Sequence, residues 1–424
     1  MNILFVEMEQ HNLQFMKKLA EDGHSVYTNQ SLSKNYLKSL GINTVGDDLP
    51  HEVWNPTMSW GHLIDMDTYE AVGNGLPKWM EEKFENTLEK YKIDLVICTW
   101  PPFNEIMHMK DWGVEFISAS PEAIKLEQEK MFGNSFAKHC DMKTPKILQR
   151  GDNHRTDFNI DSLPDSFVIK PSNKWTSATV VPDKKLLSSF PLETFLFSSS
   201  DHSAKYSYYV EELIKGQETN ISYIMSNGKW SFTFSESCDE SKAKQIFNVN
   251  PVVWYANTTI EELNPEVDKM VRDNVVEYLN QAAKLGGTYE GSITQMLGED
   301  GELYFLENNC RPYVNNTFPI PYTGNEYLDA FRNNPQKIGD WFDGRKFPKV
   351  VIQNKNIGNQ DQECEYPFHL HDKYKIAEPT PIEIIDDKYI ATKGGVVIVF
   401  EDEINMDFIN EVEKESDLRA YWGD

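Results

Sequence analysis

Short apolar runs alternate with helical stretches through the first 120 residues, and no other feature restricts the fold as strongly. "NILFVE" reads as a strand, "HNLQFMKKLAEDG" as a helix closed by Gly23, and "HSVYT" as a second strand. Farther on come a helix in "LPKWMEEKFENTLEKYK", a buried strand in "IDLVICTW", a helix in "FNEIMHMKDWG" and a strand in "VEFISA". Strands with no polar face must be covered on both sides, which predicts a parallel sheet with helices above and below it. Residues 42–77, rich in Trp, Gly, Pro and His, fit neither pattern and read as a long loop or insertion near a functional edge.

The texture changes at residue 121. "PEAIKLEQEKMFGNSFAKHCDMKTPK" is a helical stretch that turns into a strand, and "SFVIKPSNKWTSATVVP" reads as strand, polar loop, strand. "SYYVEELIKGQETNISYIMSNGKWSFTFSES" holds strands around Asn227-Gly228, a strong hairpin signal. The clearest helix follows: Asn264 caps it, Pro265 suits its first turn, Val267, Val271, Val275, Leu279 and Ala282 form one face, and Gly286 ends it. "SITQML", the turn "GEDGE" and "LYFLENN" make an antiparallel pair. Beyond residue 345 the chain reads as further strands with a final acidic helix, in which "FHLHD" looks like a strand alternating His369 and His371. With no third ligand in view, a structural role is expected for these histidines.

The strand "LYFLENNCRP" ends with Glu307, Asn309 and Arg311 on every second residue. Strand side chains alternate, so these three share one face, while Leu306, Asn308 and Cys310 take the other. A carboxylate, an amide oxygen and a guanidinium together suit a cation and a phosphate. Cys310, on the opposite face, reads as a core thiol. Lys170 closes the apolar strand "SFVIK", and "VEELIKGQE" sets two carboxylates before an apolar residue and a third after a glycine. Singly, such features are mostly solvated strand ends and snorkelling lysines. Their order along the chain is what gives them weight.

Composition narrows the partners. Lys plus Arg number 41 and Asp plus Glu 67, so the net charge is 41 − 67 = −26. A chain this acidic, with no long basic run, repels a phosphate backbone, so generic nucleic-acid binding is not expected and neither is attraction to an anionic membrane. The five cysteines lack any C-x-x-C pair, which favours a reducing compartment and argues against a zinc site. No stretch reaches the roughly 20 apolar residues of a membrane helix. The N-terminal strand carries no export signal, so a soluble, cytoplasmic protein is expected.

From Lys170 through "VEELIKGQE" and the long helix to "ENNCR", the order of motifs resembles the ATP-grasp superfamily of carboxylate-amine ligases. Over roughly residues 90–330 it is most similar to the glycinamide ribonucleotide synthetases, or phosphoribosylamine-glycine ligases. "DLVICTWPP", "PEAIKLEQEKMFGNSFAKHCDMKTP" and the E-x-N-x-R pattern carry the likeness. The resemblance implies an α/β chain in four parts: an N-terminal parallel-sheet (pre-ATP-grasp) domain over 1–120, an ATP-grasp lid over 121–205, a catalytic subdomain over 206–345, and a small C-terminal α+β domain over 346–424.

It also implies ATP and Mg2+ (or Mn2+) as cofactors, a small carboxylate and an amine as substrates, a place in purine biosynthesis, and a monomer or homodimer. Glu307 and Asn309 would then hold the metal. Arg311 would hold the transferring phosphoryl group, with Lys174 of the lid as the second catalytic residue. Lys170 would contact the α- and β-phosphates and Lys130 would be a second phosphate ligand. The backbone of Glu211, Glu212 and Leu213 would meet the adenine edge, and Glu218 the ribose.

Three departures stand beside this. The lid "PSNKWTSATVV" has none of the family's glycines, Thr294 occupies the place of a third acidic metal ligand, and "PYVNNTFPIPYTGNEY" replaces the substrate segments expected after "ENNCR". A nucleotide-binding module without catalysis is the alternative reading.

Overall fold

The structure is a computed structural model that describes residues 1–6, 12–29, 34–46, 48–49, 78–99, 107–108, 110–172, 179–181, 183–185, 207–238, 260–261, 263–311, 320–345, 347, 349–354, 364–374, 376, 382–385, 388–391, 395–401 and 403–421. Strands β1 (Asn2–Val6), β2 (Ser25–Thr28), β3 (Ile42–Thr44), β4 (Leu95–Cys98) and β5 (Glu115–Ile117) form an all-parallel sheet in the order β3-β2-β1-β4-β5. Successive residues bury opposite faces, as the unbroken apolar runs require. Ile3, Phe5, Leu95 and Ile97 enter one core with Leu13, Met16 and Leu19 of helix α1 (Leu13–Glu21). Leu4, Val6, Val96 and Cys98 enter another with Phe84 and Leu88. Helix α2 (Lys34–Ser39) adds Tyr36 and Leu37 to the first core, and α3 (Lys78–Tyr91) carries Phe84 and Leu88 to the second.

Two expectations change here. The stretch from residue 42 opens with β3, whose Ile42 pairs with Val26, so it is not loop from its start. Three residues are too few to show a period, and only pairing with β2 reveals them. Residues 50–77 lie outside the described residues; of the helix expected in "FNEIMHMKDWG", residues 107–108 are helical but 110–113 are not, and the remainder lies outside the described residues.

The helical stretch after residue 120 is two helices, α4 (Pro121–Gln128) and α5 (Lys130–His139), parted where Glu129 leaves helical geometry (φ −99°, ψ 80°). Next come β6 (Ile147–Gly151), β7 (Phe167–Pro171), β8 (Thr179–Val181) and β9 (Tyr208–Glu212), an antiparallel sheet ordered β6-β9-β7-β8. A larger antiparallel sheet follows, from β10 (Gly216–Ser226), β11 (Lys229–Cys238), β12 (Ile260–Glu261), β13 (Thr288–Gly298) and β14 (Leu303–Asn309), ordered β12-β11-β10-β13-β14. Asn227 and Gly228 both take positive φ (46° and 86°), as the tight β10–β11 turn demands. Helix α6 (Pro265–Ala282) is capped by the Asn264 side chain, which accepts from the Glu266 N–H. Its Val271, Val275, Leu279 and Ala282 pack against Ile221, Tyr223, Ile293 and Phe305 on one face of the larger sheet.

Helices α7 (Gly324–Asn333) and α8 (Pro335–Phe342) lead into two three-stranded sheets. They are built from β15 (Lys349–Asn354), β16 (Cys364–Glu365), β17 (Ile382–Ile385), β18 (Lys388–Ala391), β19 (Gly395–Val399) and β20 (Leu418–Tyr421), with α9 (His369–Tyr374) and α10 (Met406–Glu415). A Cβ on Gly324 would stand 2.5 Å from the Leu19 nitrogen, so α7 can approach α1 this closely only with glycine there. One core joins Ile3, Tyr327, Val350 and Phe408, so the C-terminal region packs around the first sheet.

Two more expectations are corrected. The acidic helix α10 is not the last element, because β20 follows it and pairs with β15. His369 and His371 sit on α9 rather than on a strand. Residues two apart on a helix face apart, and His371 is buried with Nε2 2.6 Å from the Tyr366 hydroxyl while His369 lies exposed, 3.1 Å from Glu415. Among the described residues, no helix is long and apolar enough to cross a membrane.

Candidate active site

The larger sheet is apolar on its α6 face; its other face is apolar where Ile224 and Phe234 meet α7 and α8 and polar farther along. Register aligns Ser222 with Ser292 and Asn309, and Asn220 with Thr294 and Glu307, so these side chains rise from the polar face of β10, β13 and β14. Asn308 and Cys310 turn inward. Tyr223 donates to Asn308 Oδ1 (2.8 Å), and the Cys310 thiol donates to the Ala123 carbonyl (3.2 Å). Burial pushes that thiol well above its ordinary range, which suits a core group and not a nucleophile.

A β-bulge between the Thr294–Glu307 and Gln295–Phe305 pairs makes Leu306 an extra residue and returns Phe305 to the core. Its carbonyl accepts a hydrogen bond from Lys170 Nζ at 2.9 Å. Lys170 comes from β7 of the smaller sheet, and its ammonium also lies 2.8 Å from Glu211 Oε2 of β9, with both side chains buried. Asn134 of α5 donates to the other Glu211 oxygen (3.1 Å).

Two further cations complete the cluster. Lys130, the first residue of α5, reaches Glu307 Oε2 at 3.0 Å. Arg311 donates through Nε to Glu127 Oε1 (2.8 Å) and through a terminal nitrogen to Asn309 Oδ1 (3.2 Å). The charge of Lys130 chiefly, with Lys170 and Arg311 adding to it, outweighs burial and holds the Glu307 carboxyl at about 2. Glu127 is buried, and its second oxygen accepts the Cys310 N–H (2.7 Å). Burial pushes the Glu127 carboxyl up, and the Arg311 charge opposes that rise.

Six of the residues chosen from sequence therefore pair by direct contact: Lys130 with Glu307, Lys170 with Glu211, and Arg311 with Asn309. Glu212 sits beside them, but its side chain accepts the Lys146 N–H (2.9 Å) and ties β9 to the start of β6. Leu213 follows where β9 hands over to β10, and Glu218 stands on β10 opposite Cys238 and Met296. Lys174 and most of the lid loop lie outside the described residues.

The reading of "VEELIKGQE" considered only the backbone of Glu211 and missed its side chain as the partner of Lys170. Glu127 and Asn134 were missed altogether. Their one sequence signal is a carboxylate and an amide on buried helical faces that flank Lys130.

The donor set on the polar face is made of oxygens. Glu307 and Asn309 offer a carboxylate and an amide oxygen to a hard cation that keeps several waters, as Mg2+ does. Among the described residues, no cluster of three or more His, Cys, Asp or Glu is suited to a metal. Thr294 stands opposite Glu307 and donates to Asn220 Oδ1 (2.6 Å). Asn220 Nδ2, Ser222 Oγ and Ser292 Oγ are buried on the same face as Glu307 and Asn309 without a hydrogen-bond partner among the described residues, so this face has hydrogen-bonding capacity to offer a polar group.

A search of family models and of curated proteins finds no match to the sequence. Solved structures do match over nearly the whole chain. Phosphoribosylamine-glycine ligase from Thermotoga maritima is 13% identical with a TM-score of 0.58, covering 98% of this chain and 97% of that one. L-amino acid ligase from Bacillus licheniformis is 12% identical with a TM-score of 0.60, covering 100% and 99%. The biotin carboxylase domain of Hydrogenobacter thermophilus 2-oxoglutarate carboxylase, solved with MgADP, ADP and bicarbonate, is 12% identical with a TM-score of 0.60, covering 99% and 90%. With the two antiparallel sheets facing each other across Lys170 and Leu306, the chain has the ATP-grasp fold, preceded by a parallel-sheet domain and followed by a small α+β domain.

Proposed function

We propose that this protein is an ATP- and Mg2+-dependent ligase that activates a small carboxylate, an amino acid in the first instance, as an acyl phosphate and joins it to an amine. The observation that carries this reading is the convergence of three cations on one short stretch of β14: Lys130 of α5 on Glu307, Lys170 of β7 on the Leu306 carbonyl, and Arg311 on Asn309. A carboxylate needs a better leaving group than hydroxide before an amine can displace it. Phosphoryl transfer from ATP supplies one, and its main requirement is fixed positive charge around the migrating group.

In this reading Lys170 and Lys130 bind the phosphates, and Lys130 leaves Glu307 to do so. Glu307 and Asn309 hold Mg2+, which would neutralise phosphate charge during the transfer. Arg311, aimed by Glu127, holds the phosphoryl oxygens or the acyl phosphate, for which its planar fork of donors is suited. The strand exit at Glu211, Glu212 and Leu213 takes the adenine edge, Glu218 the ribose, and Lys174 with its loop covers the phosphates. The fold shared with a phosphoribosylamine-glycine ligase, an L-amino acid ligase and a biotin carboxylase domain supports the class of reaction and leaves the substrate open.

Purified protein with ATP and Mg2+ should release ADP and phosphate slowly, and much faster when the right carboxylate and amine are both present. Glycine with phosphoribosylamine is the first pair to try, since the T. maritima neighbour is named for it. AMP and pyrophosphate as products would contradict phosphoryl transfer. MgATP binding without turnover for any pair would support the non-catalytic alternative.

A further inference from the structure

Three ion pairs make up the charged cluster of the candidate site. Lys170 stands 2.8 Å from Glu211, Arg311 2.8 Å from Glu127 and Lys130 3.0 Å from Glu307. Their charges cancel, so the pairs are neutral as a set before any ligand arrives. That balance matters for a divalent cation. Entering alone, it would leave a double positive charge uncompensated beside Lys130, Lys170 and Arg311, where burial weakens screening by water. A triphosphate entering with it reverses the sign, because its negative charge exceeds that of the metal.

The three pairs differ in how readily a ligand can displace one partner. The Glu211 side chain is 1% exposed and that of Glu127 6%, and each has a second donor, Asn134 for Glu211 and the Cys310 N–H for Glu127. Glu307 is 32% exposed, so a group from solvent can reach it. Its partner is able to move. Lys130 opens α5 just after Glu129, whose φ of −99° and ψ of 80° break the helix, and a lysine ammonium turns on a flexible four-carbon stem. Lys130 can therefore change partners by side-chain rotation, whereas Lys170 is held between Glu211 and the Leu306 carbonyl.

We infer that Lys130 is a resident counter-ion for Glu307 that opposes a divalent cation until a nucleotide phosphate draws the lysine away, so that metal and nucleotide bind together and free Mg2+ does not fill the site. The inference rests on the ligase reading, which gives Glu307 and Asn309 to the metal and Lys130 to phosphate, and adds the order in which the site is filled. Linkage makes the effect reciprocal: whatever factor the nucleotide adds to metal affinity, the metal adds to nucleotide affinity.

The test is direct binding of Mn2+ to the full-length protein, followed by electron paramagnetic resonance with no turnover required. Wild type should bind Mn2+ weakly alone and at least about tenfold more tightly with ADP. Lys130→Met should bind Mn2+ without nucleotide at least about tenfold more tightly than wild type, and ADP should then add correspondingly less. Adding Glu307→Gln to that variant should abolish the gain, which ties the ion to Glu307. Lys143→Met removes the same charge from an exposed pair with Glu302 and should gain nothing. Nucleotide-free Mn2+ binding by wild type as tight as with ADP would overturn the inference. So would an unchanged affinity in Lys130→Met, a gain that survives Glu307→Gln, or an equal gain in Lys143→Met. With Mn2+ still bound in the presence of ADP, those outcomes leave the ligase reading standing. If ADP brings Mn2+ to none of these proteins, the metal assignment falls and the inference with it. Lys130→Gln takes the place of Lys130→Met if the latter does not fold.

Discussion

Lys130 and Glu307 are 177 positions apart in sequence and 3.0 Å apart in the folded chain. Their pairing joins the first turn of α5 to the polar end of β14. A carboxylate held at about 2 stays ionised across the whole working range, as a metal ligand should. Glu307→Gln keeps the shape and removes the charge. We expect a loss of at least about a hundredfold in turnover, which corresponds to about 2.7 kcal/mol of lost transition-state stabilisation. Asn309→Ala should act the same way but more mildly. Normal ADP production by a folded Glu307→Gln protein would remove the metal assignment.

Acid stability should report the same pair. The Glu307 carboxyl is lowered in the folded state, so its contribution to stability is full above the ordinary value near 4.5 and is lost as pH falls toward about 2. Lys130→Met should flatten that part of the curve and weaken ATP binding. Urea unfolding from pH 5 down to pH 2.5, for wild type and variant, checks it; parallel curves would mean that Lys130 does not set the state of Glu307.

Lys170 should behave differently, because Glu211 is buried beside it. Removing the lysine alone strands a carboxylate in the interior, at a cost of about 3–5 kcal/mol. Lys170→Met should therefore melt well below wild type, while Lys170→Met with Glu211→Leu should recover most of that loss without recovering ATP affinity. Calorimetry on the double variant separates the two effects, and full ATP affinity there would take Lys170 out of the phosphate site.

Glu127 touches no proposed substrate, so it is a positioning residue for Arg311. Both of its oxygens accept, one from the guanidinium and one from the Cys310 N–H. In Glu127→Gln one of those donors meets an amide N–H instead of an oxygen. The expected result is a kcat lowered about ten- to a hundredfold with the ATP KM nearly unchanged, since buried hydrogen bonds to charged groups contribute about 1.5–3 kcal/mol. A rise in ATP KM with kcat preserved would place Glu127 in nucleotide binding instead.

Glu290 should cost stability as pH rises. Its carboxyl is raised to about 7 when folded, against 4.5 ordinarily, so the folded state holds the proton more tightly and stability falls as pH climbs between those values. Glu290→Gln should be about 1–2 kcal/mol more stable than wild type at pH 8, after allowance for partial exposure, and equal to it at pH 4. Denaturant midpoints at the two pH values measure this, and a variant less stable at pH 8 would make Glu290 a structural residue.

What depends on neighbours along the chain was legible in the residues alone. Alternation put Glu307 and Asn309 on one face and Asn308 and Cys310 on the other, and the apolar runs of β1 and β4 required a sheet covered on both sides. Asn227-Gly228 and Asn264-Pro265 marked a turn and a helix start, because turn and cap geometry involve only a few adjacent residues.

Tertiary structure decided what depends on distant partners. The three-residue β3 exists through its pairing with β2, and the histidines of "FHLHD" took a helix against a core that supplies Tyr366 and Phe408. The partners Glu127 for Arg311, Glu211 for Lys170 and Lys130 for Glu307 come from separate elements, 184, 41 and 177 positions away. Desolvation and Coulomb attraction act through space, so only the packed sheets and helices fix which buried charge faces which.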